Sequence, residues 1–434
     1  MHLKKDVVQL KLIYVVLDGV GDLPIEELGG KTPLEVAETP NMDALAKNGK
    51  TGLMYTVKKG VAPESDVAVI SILGYDPFKY YTGRGPLETL GADLDMKDGD
   101  LALRCNFATL GQGNKIVDRR VKRSLTTEEA TELSKAINRE VKLQSYPADF
   151  EFKNTIGHRA VLVIRSKEKP LSNNITNSDP AYSVAEGLGV AKAVVDMRLK
   201  KVEPMDDMEE SRISADLVNE FTQKSHAVLE RHKINEKRTA EGQLKANLIL
   251  SRDAGNKLPK FFKINERYGV NFLCLADMPV ERGISKLAGM HLTELPPPSG
   301  NLKKDCAIRV RQLLNALESY DCFYIHLKDP DEPGHDGNYN LKAKVIATID
   351  REFFGKFLPK IKLEDYVVCI TADHATPCKL KAHSDDPVPL LVSGNKIEAD
   401  STRRFSETEC KEGDLGVLAR GVELMPMLMG FLKG

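Results

Sequence analysis

Lys11-Leu12-Ile13-Tyr14-Val15-Val16-Leu17-Asp18-Gly19-Val20-Gly21-Asp22 reads as a buried strand running straight into a glycine-rich, acidic loop. The pattern returns twice near the other end of the chain. Residues 321–327 end in Lys328-Asp329-Pro330-Asp331, and residues 366–372 end in Asp373-His374. Residues 246–250, 270–276 and 388–392 are further expected strands, and helical 3.6-residue spacing marks 215–231, 302–319 and 340–358. Alternating strands and helices predict an α/β fold with a mostly parallel sheet flanked by helices.

The block around 87–209 has a different texture. Residues 101–107 and 160–165 suit strands, and Thr126-x-x-Glu129 is a capping-box signature that opens a helix over 126–137. Polar stretches at 167–183 and 200–211 suit loops or a linker. We expect 87–209 to form a smaller inserted α+β cap domain, with 1–86 and 210–434 together forming the core. The alternative is that this block extends the same sheet.

The chain has 434 residues, 62 Lys plus Arg against 63 Asp plus Glu, and a net charge of -1, which removes a global electrostatic case for nucleic acid or an anionic membrane. The longest apolar runs are far shorter than the roughly 18 residues of a bilayer span. Met1-His2-Leu3-Lys4-Lys5-Asp6 is too polar for a secretory signal, which points to the cytoplasm. Seven cysteines without a C-x-x-C pair suggest buried thiols rather than a disulfide framework or zinc finger.

Ligands of open α/β sheets gather at the carboxyl ends of strands, where Asp18, Asp331 and Asp373 are expected. Asp331-x-x-x-His335, Asp373-His374 and His383 add imidazoles to these carboxylates, a donor mixture suited to manganese, zinc or cobalt. Each acid read singly is a turn or cap residue, and each histidine an ordinary polar group; the repeated order weakens that reading. His326 lies inside a strand and suits a core or supporting role. Ser65 precedes the apolar run 67–73, where it is either a helix N-cap or a nucleophile at a phosphate-binding helix start, and the segment alone leaves both open. Arg84, between two glycines, and the run Asp118-Arg119-Arg120-Val121-Lys122-Arg123 offer either a clamp for a small doubly anionic substrate or a solvated charge run. No interleaved aromatics support a nucleic-acid patch.

These residues together resemble the archaeal-type cofactor-independent phosphoglycerate mutases of the alkaline phosphatase superfamily. The resemblance runs along nearly the whole chain, through Val16-Leu17-Asp18-Gly19-Val20-Gly21-Asp22, Glu64-Ser65-Asp66, Thr82-Gly83-Arg84-Gly85-Pro86, Asp118-Arg119-Arg120 and Gly157-His158-Arg159-Ala160. It continues through Asp331-Glu332-Pro333-Gly334-His335-Asp336, Thr371-Ala372-Asp373-His374 and His383-Ser384-Asp385-Asp386-Pro387. It implies an alkaline-phosphatase-like core and two divalent ions, manganese, cobalt, zinc or magnesium. Asp18, Ser65, Asp373 and His374 would hold one ion, and Asp331, His335 and His383 the other. It further implies that Ser65 carries the phosphoryl group between 3-phosphoglycerate and 2-phosphoglycerate, with no 2,3-bisphosphoglycerate required. Arg119, Arg120 and Arg123 would bind substrate anions, with Arg84 near the hinge, and Asp118 would serve the glycerate hydroxyls as acid and base. A phosphomonoesterase or another phosphomutase on the same core is the alternative enzyme. A metal-stabilised binding protein is the non-catalytic one. Motif order adds a constraint: Asp18 and Ser65 precede the inserted block and the remaining ligands follow it, so the core must draw on both ends of the chain. The oligomeric state is left open.

Overall fold

The computed structural model describes residues 10–185, 188–191 and 196–433. The segment read against a secretory signal, residues 1–6, lies outside them. The chain divides into two compact units, one of Met1–Tyr81, Lys260–Asp277 and Ile284–Gly434, the other of Thr82–Pro259 and Met278–Gly283.

In chain order the strands are β1 (Lys11–Leu17), β2 (Gly49–Met54), β3 (Leu101–Leu110), β4 (Ile116–Asp118), β5 (Ala148–Asn154), β6 (Arg159–Ser166), β7 (Tyr182–Ala185) and β8 (Leu188–Ala191). They continue with β9 (Leu248–Gly255), β10 (Phe272–Leu275), β11 (His291–Leu292), β12 (Cys322–Leu327), β13 (Tyr366–Thr371), β14 (Val388–Gly394) and β15 (Gly416–Leu418).

The first unit is built on an eight-stranded sheet in the order β11-β10-β12-β1-β13-β14-β2-β15. The five strands from β11 to β13 are mutually parallel, and β14 is antiparallel to both of its neighbours. Every residue from Leu12 to Leu17 is fully buried, which explains a strand apolar on both faces. The register pairs Val16 with His326 on one side and Thr371 on the other, so β12, β1 and β13 finish side by side.

The second unit has an antiparallel sheet in which β3 pairs with β4, β6 and β9, and β6 with β5, beside a separate β7–β8 pair. Side-chain alternation along β3 sorts the core. Leu101, Leu103, Cys105 and Phe107 face a cluster with Leu133 and Ile137 of helix Thr127–Glu140 and Leu217, Val218 and Phe221 of helix Glu209–Glu230. Ala102, Val161 and Val163 meet Ala92, Leu94 and Met96 on the opposite face. The expected capping box is present, with Thr126 Oγ1 accepting from Glu129 N and Glu129 Oε2 accepting from Thr126 N.

Residues 210–259 are expected in the core, but helix Glu209–Glu230 and β9 belong to the second unit, which runs to Pro259 and takes in Met278–Gly283 as well. The apolar stripe of Glu209–Glu230 is buried against β3, β5 and β6, and β9 completes the hydrogen bonding of β3. The opening border moves from 86 to Thr82, because helix Arg84–Gly91 belongs to the second unit. All seven cysteines are buried and free. Among the described residues, no helix is long and apolar enough to cross a membrane.

Candidate active site

The loops leaving β12, β1 and β13 carry acidic and basic side chains to the carboxyl ends of these neighbouring strands. Asp18 follows β1 directly, Lys328 follows β12, and Asp373 and His374 follow β13 across Ala372. Asp331 and His335 lie one turn apart on the short helix Asp331–Asp336, and His383 lies in the loop before β14. Ser65 is the first residue of helix Ser65–Ile72, whose N-cap is Glu64. Its hydroxyl is therefore not spent on capping; Oγ stands 3.1 Å from His374 Nε2 and 3.3 Å from Lys328 Nζ.

Two sets of ligand-type atoms result. The side chains of Asp18, Asp373 and His374 form one and those of Asp331, His335 and His383 the other, with the atoms of each set within 4.8 Å of one another. His374 Nε2 is 3.4 Å from Asp18 Oδ1 and 3.3 Å from Asp373 Oδ2. Those two carboxylate oxygens are fully enclosed and, among the described residues, make no hydrogen bond. In the other set, His335 Nε2 and His383 Nε2 lie 3.2 Å apart and 3.4 and 3.6 Å from Asp331 Oδ1. The far ring nitrogens are tied to backbone carbonyls, His383 Nδ1 to Pro63 O at 2.8 Å and His335 Nδ1 to Lys381 O at 3.3 Å. A neutral ring that donates from Nδ1 to a carbonyl presents its lone pair at Nε2, the form that binds a metal ion. The enclosed Asp18 and Asp373 oxygens leave a place for a cation beside His374, and the mixed carboxylate and imidazole donors of both sets are of the kind that divalent ions take. The sets adjoin, since the His374 and His383 rings stack at 3.6 Å.

Burial pushes the Asp18 carboxyl up, but Lys328 and the 2.8 Å hydrogen bond with His326 Nε2 outweigh it and hold the group below its usual range. Burial and the neighbouring Asp18 push Asp373 up. Burial lowers His374, with His383 adding to the effect. Burial also opposes charge on His383, yet Glu64 and Asp331 push it up to about 9. His326 is thus a supporting residue beneath Asp18, in line with its position in the strand.

Lys328 and Thr376 were not singled out from sequence. Lys328 is paired with Asp18 and lies 3.5 Å from Asp331 Oδ2, so one ammonium touches both sets and Ser65. The available signal was a lysine at the carboxyl end of an apolar strand, three residues before Asp331.

The arginine-rich residues all belong to the second unit. Asp118 Oδ1 accepts from Arg120 N at 2.7 Å and Lys122 N at 2.8 Å, pinning a turn in which Val121, Lys122 and Arg123 have φ of 53, 51 and 55°. Positive φ is rare outside glycine, and for a β-branched residue it marks a strained turn. Arg119 makes a two-pronged bridge to Asp179 at 2.6 and 2.8 Å, and Arg252 reaches the same carboxylate at 3.2 Å. Arg84 is buried against Glu88 at 2.7 Å, with Arg104 on the same oxygen at 3.2 Å. His158, left without a role by sequence, is pushed down to about 2 by burial and by Arg159, Arg120, Arg104 and Arg123.

Residues 46–235 match the family described as 2,3-bisphosphoglycerate-independent phosphoglycerate mutase. An Aeropyrum pernix protein of that name is 42% identical over 433 residues, covering 98% of this chain and 100% of its own. A solved structure from Pyrococcus horikoshii aligns with a TM-score of 0.77 at 33% identity, covering 98% of both chains. The cofactor-independent phosphoglycerate mutase from Thermoplasma acidophilum aligns with a TM-score of 0.59 at 30% identity, over 98% of this chain and 100% of that one. With that identity sustained over almost the full length, the chain belongs to the 2,3-bisphosphoglycerate-independent phosphoglycerate mutase family.

Proposed function

We propose that this chain interconverts 3-phosphoglycerate and 2-phosphoglycerate through a phosphoserine at Ser65, at a site holding two divalent ions. The observation that carries the reading is the placement of the Ser65 hydroxyl 3.1 Å from His374, with Asp18 Oδ1 and Asp373 Oδ2 enclosed and unsatisfied among the described residues and a second donor set adjoining. In the first half-reaction a bond forms between Ser65 Oγ and phosphorus while the bond from phosphorus to the C3 oxygen breaks, and that oxygen takes up a proton. In the second, the C2 oxygen of the retained glycerate takes the phosphoryl group and the serine oxygen recovers a proton. The sum consumes neither water nor 2,3-bisphosphoglycerate.

Asp18, Asp373 and His374 with Ser65 would hold one ion, and Asp331, His335 and His383 the other. Bound there, divalent ions lower the cost of a Ser65 alkoxide and offset charge on the entering and leaving oxygens. Lys328 Nζ, 3.3 Å from Ser65 Oγ, places a further positive charge at the nucleophile.

In the second unit we assign Arg119, Arg120 and Arg123 to the carboxylate and phosphate oxygens of the substrate, with Asp179 orienting Arg119. Burial and the neighbouring Arg159, Arg120, Arg104 and Arg123 push the His158 imidazole down, in keeping with a positive field around this turn. Asp118 Oδ1 is engaged by the turn, so a proton-carrying role for this residue falls to Oδ2. Arg84 is assigned to orienting Glu88 rather than to the substrate.

An enolase-coupled assay tests the reading. With manganese or cobalt and no added 2,3-bisphosphoglycerate, 3-phosphoglycerate should yield 2-phosphoglycerate, chelator should stop the reaction, and Ser65→Ala should abolish it with the fold intact. Release of inorganic phosphate without 2-phosphoglycerate would replace the mutase by a phosphomonoesterase.

A further inference from the structure

Thr376 belongs to neither donor set but touches both. Its Oγ1 donates to Asp331 Oδ1 at 2.8 Å and lies 3.0 Å from His374 Nδ1. A hydroxyl has one proton, and here it goes to the carboxylate, so toward His374 the oxygen can only accept. The imidazole must then carry its proton on Nδ1 and present the Nε2 lone pair to Asp18, Asp373 and Ser65. His335 and His383 have carbonyl partners for this purpose; at His374 the partner is a hydroxyl, whose direction is set by a residue of the opposite set.

The surroundings hold Thr376 firmly. Its N–H donates to Gly21 O at 3.0 Å, and its carbonyl accepts from the fully buried Lys342 Nζ at 2.9 Å. The same ammonium reaches Gly21 O at 3.2 Å and Asp22 Oδ2 at 2.8 Å, which ties the loop after β1 to the loop after β13. Two glycines make the room. A Cβ on Gly19, whose φ is +60°, would stand 2.5 Å from Thr376 Oγ1, and one on Gly334 would stand 2.5 Å from Thr376 O.

We propose that Thr376 is a positioning residue that couples the two donor sets: Asp331 of one orients the Thr376 hydroxyl, and that hydroxyl fixes the tautomer of His374 in the other. The coupling to metal rests on the two-ion reading above; the tautomer does not. Partners that fix a metal-binding imidazole typically contribute about 10- to 100-fold in affinity.

The test combines nitrogen-15 NMR of the histidine rings in the metal-free protein with cobalt titration by absorption and calorimetry. In the wild type, His374 should be protonated on Nδ1 and two cobalt ions should bind. Thr376→Ala should mix the two tautomers and weaken one cobalt site by about 10- to 100-fold, while Thr376→Ser should restore both readouts. A wild-type His374 protonated on Nε2 overturns the proposal even if no variant folds. Unchanged tautomer and cobalt affinity in Thr376→Ala also overturns it. If the wild type binds fewer than two cobalt ions, the two-ion reading fails and the NMR result decides the role of Thr376 by itself.

Discussion

Lys328 Nζ stands 3.3 Å from Ser65 Oγ while also pairing with Asp18, so one ammonium links the candidate nucleophile to a candidate ligand. A fixed positive charge beside a developing alkoxide stabilises charge that is absent in the ground state. Lys328→Met should therefore lower kcat by roughly 10²- to 10³-fold with a smaller change in KM, measured in the enolase-coupled assay. An unchanged kcat would remove Lys328 from the chemistry.

Removal of metal should expose the unfavourable side of the same cluster. Asp18 and Asp373 raise each other's cost when no cation separates them, as the upward push on Asp373 shows. An ion bound only by the folded state stabilises it by about 2.7 kcal/mol when free metal is 100-fold above Kd. Thermal unfolding should accordingly shift upward with added manganese and return with chelator. A Tm independent of both would argue against ion binding at these sets.

Glu220 supplies a pH-dependent prediction in the second unit. Burial raises its carboxyl, but Lys224, Ser145 and the backbone N–H groups of Ser145 and Gln144 prevail and bring it down to about 2. The folded state thus favours the ionised form, and this stability is present above the ordinary glutamate range and is lost as pH falls through it toward about 2. Glu220→Gln should cost on the order of 1–2 kcal/mol at pH 7, discounted for its partial exposure. Denaturant titrations should show the gap between variant and wild type closing below about pH 4.

Phe221 tests the revised domain border. It is almost fully buried and packs on Phe150 and Phe152 with ring centroids 5.1 and 5.6 Å apart. Phe221→Ala should destabilise by about 3–5 kcal/mol. Hydrogen exchange should locate the loss in β3, β5 and β6, leaving β1, β12 and β13 protected. Loss centred on the eight-stranded sheet would return 210–259 to the first unit.

Local composition determined much of this protein. The unalternating apolar runs of β1, β12 and β13 can only be covered on both faces, and acids placed just beyond them must gather where parallel strands end. The convergence of Asp18 with Asp373 was legible for that reason, and the capping box at Thr126 because a cap is a contact over three residues. Tertiary structure alone decided which sheet accepts a given strand or helix. The stripe on Glu209–Glu230 states that one face is buried but not against what, and β9 reads as a strand whichever neighbour completes its hydrogen bonds. Lys328 and Thr376 were hidden for a related reason. A lysine after a strand and a threonine in a loop acquire their meaning only from groups far away in sequence, Ser65 for one and Asp331 for the other, and local pattern carries no record of contacts between distant segments.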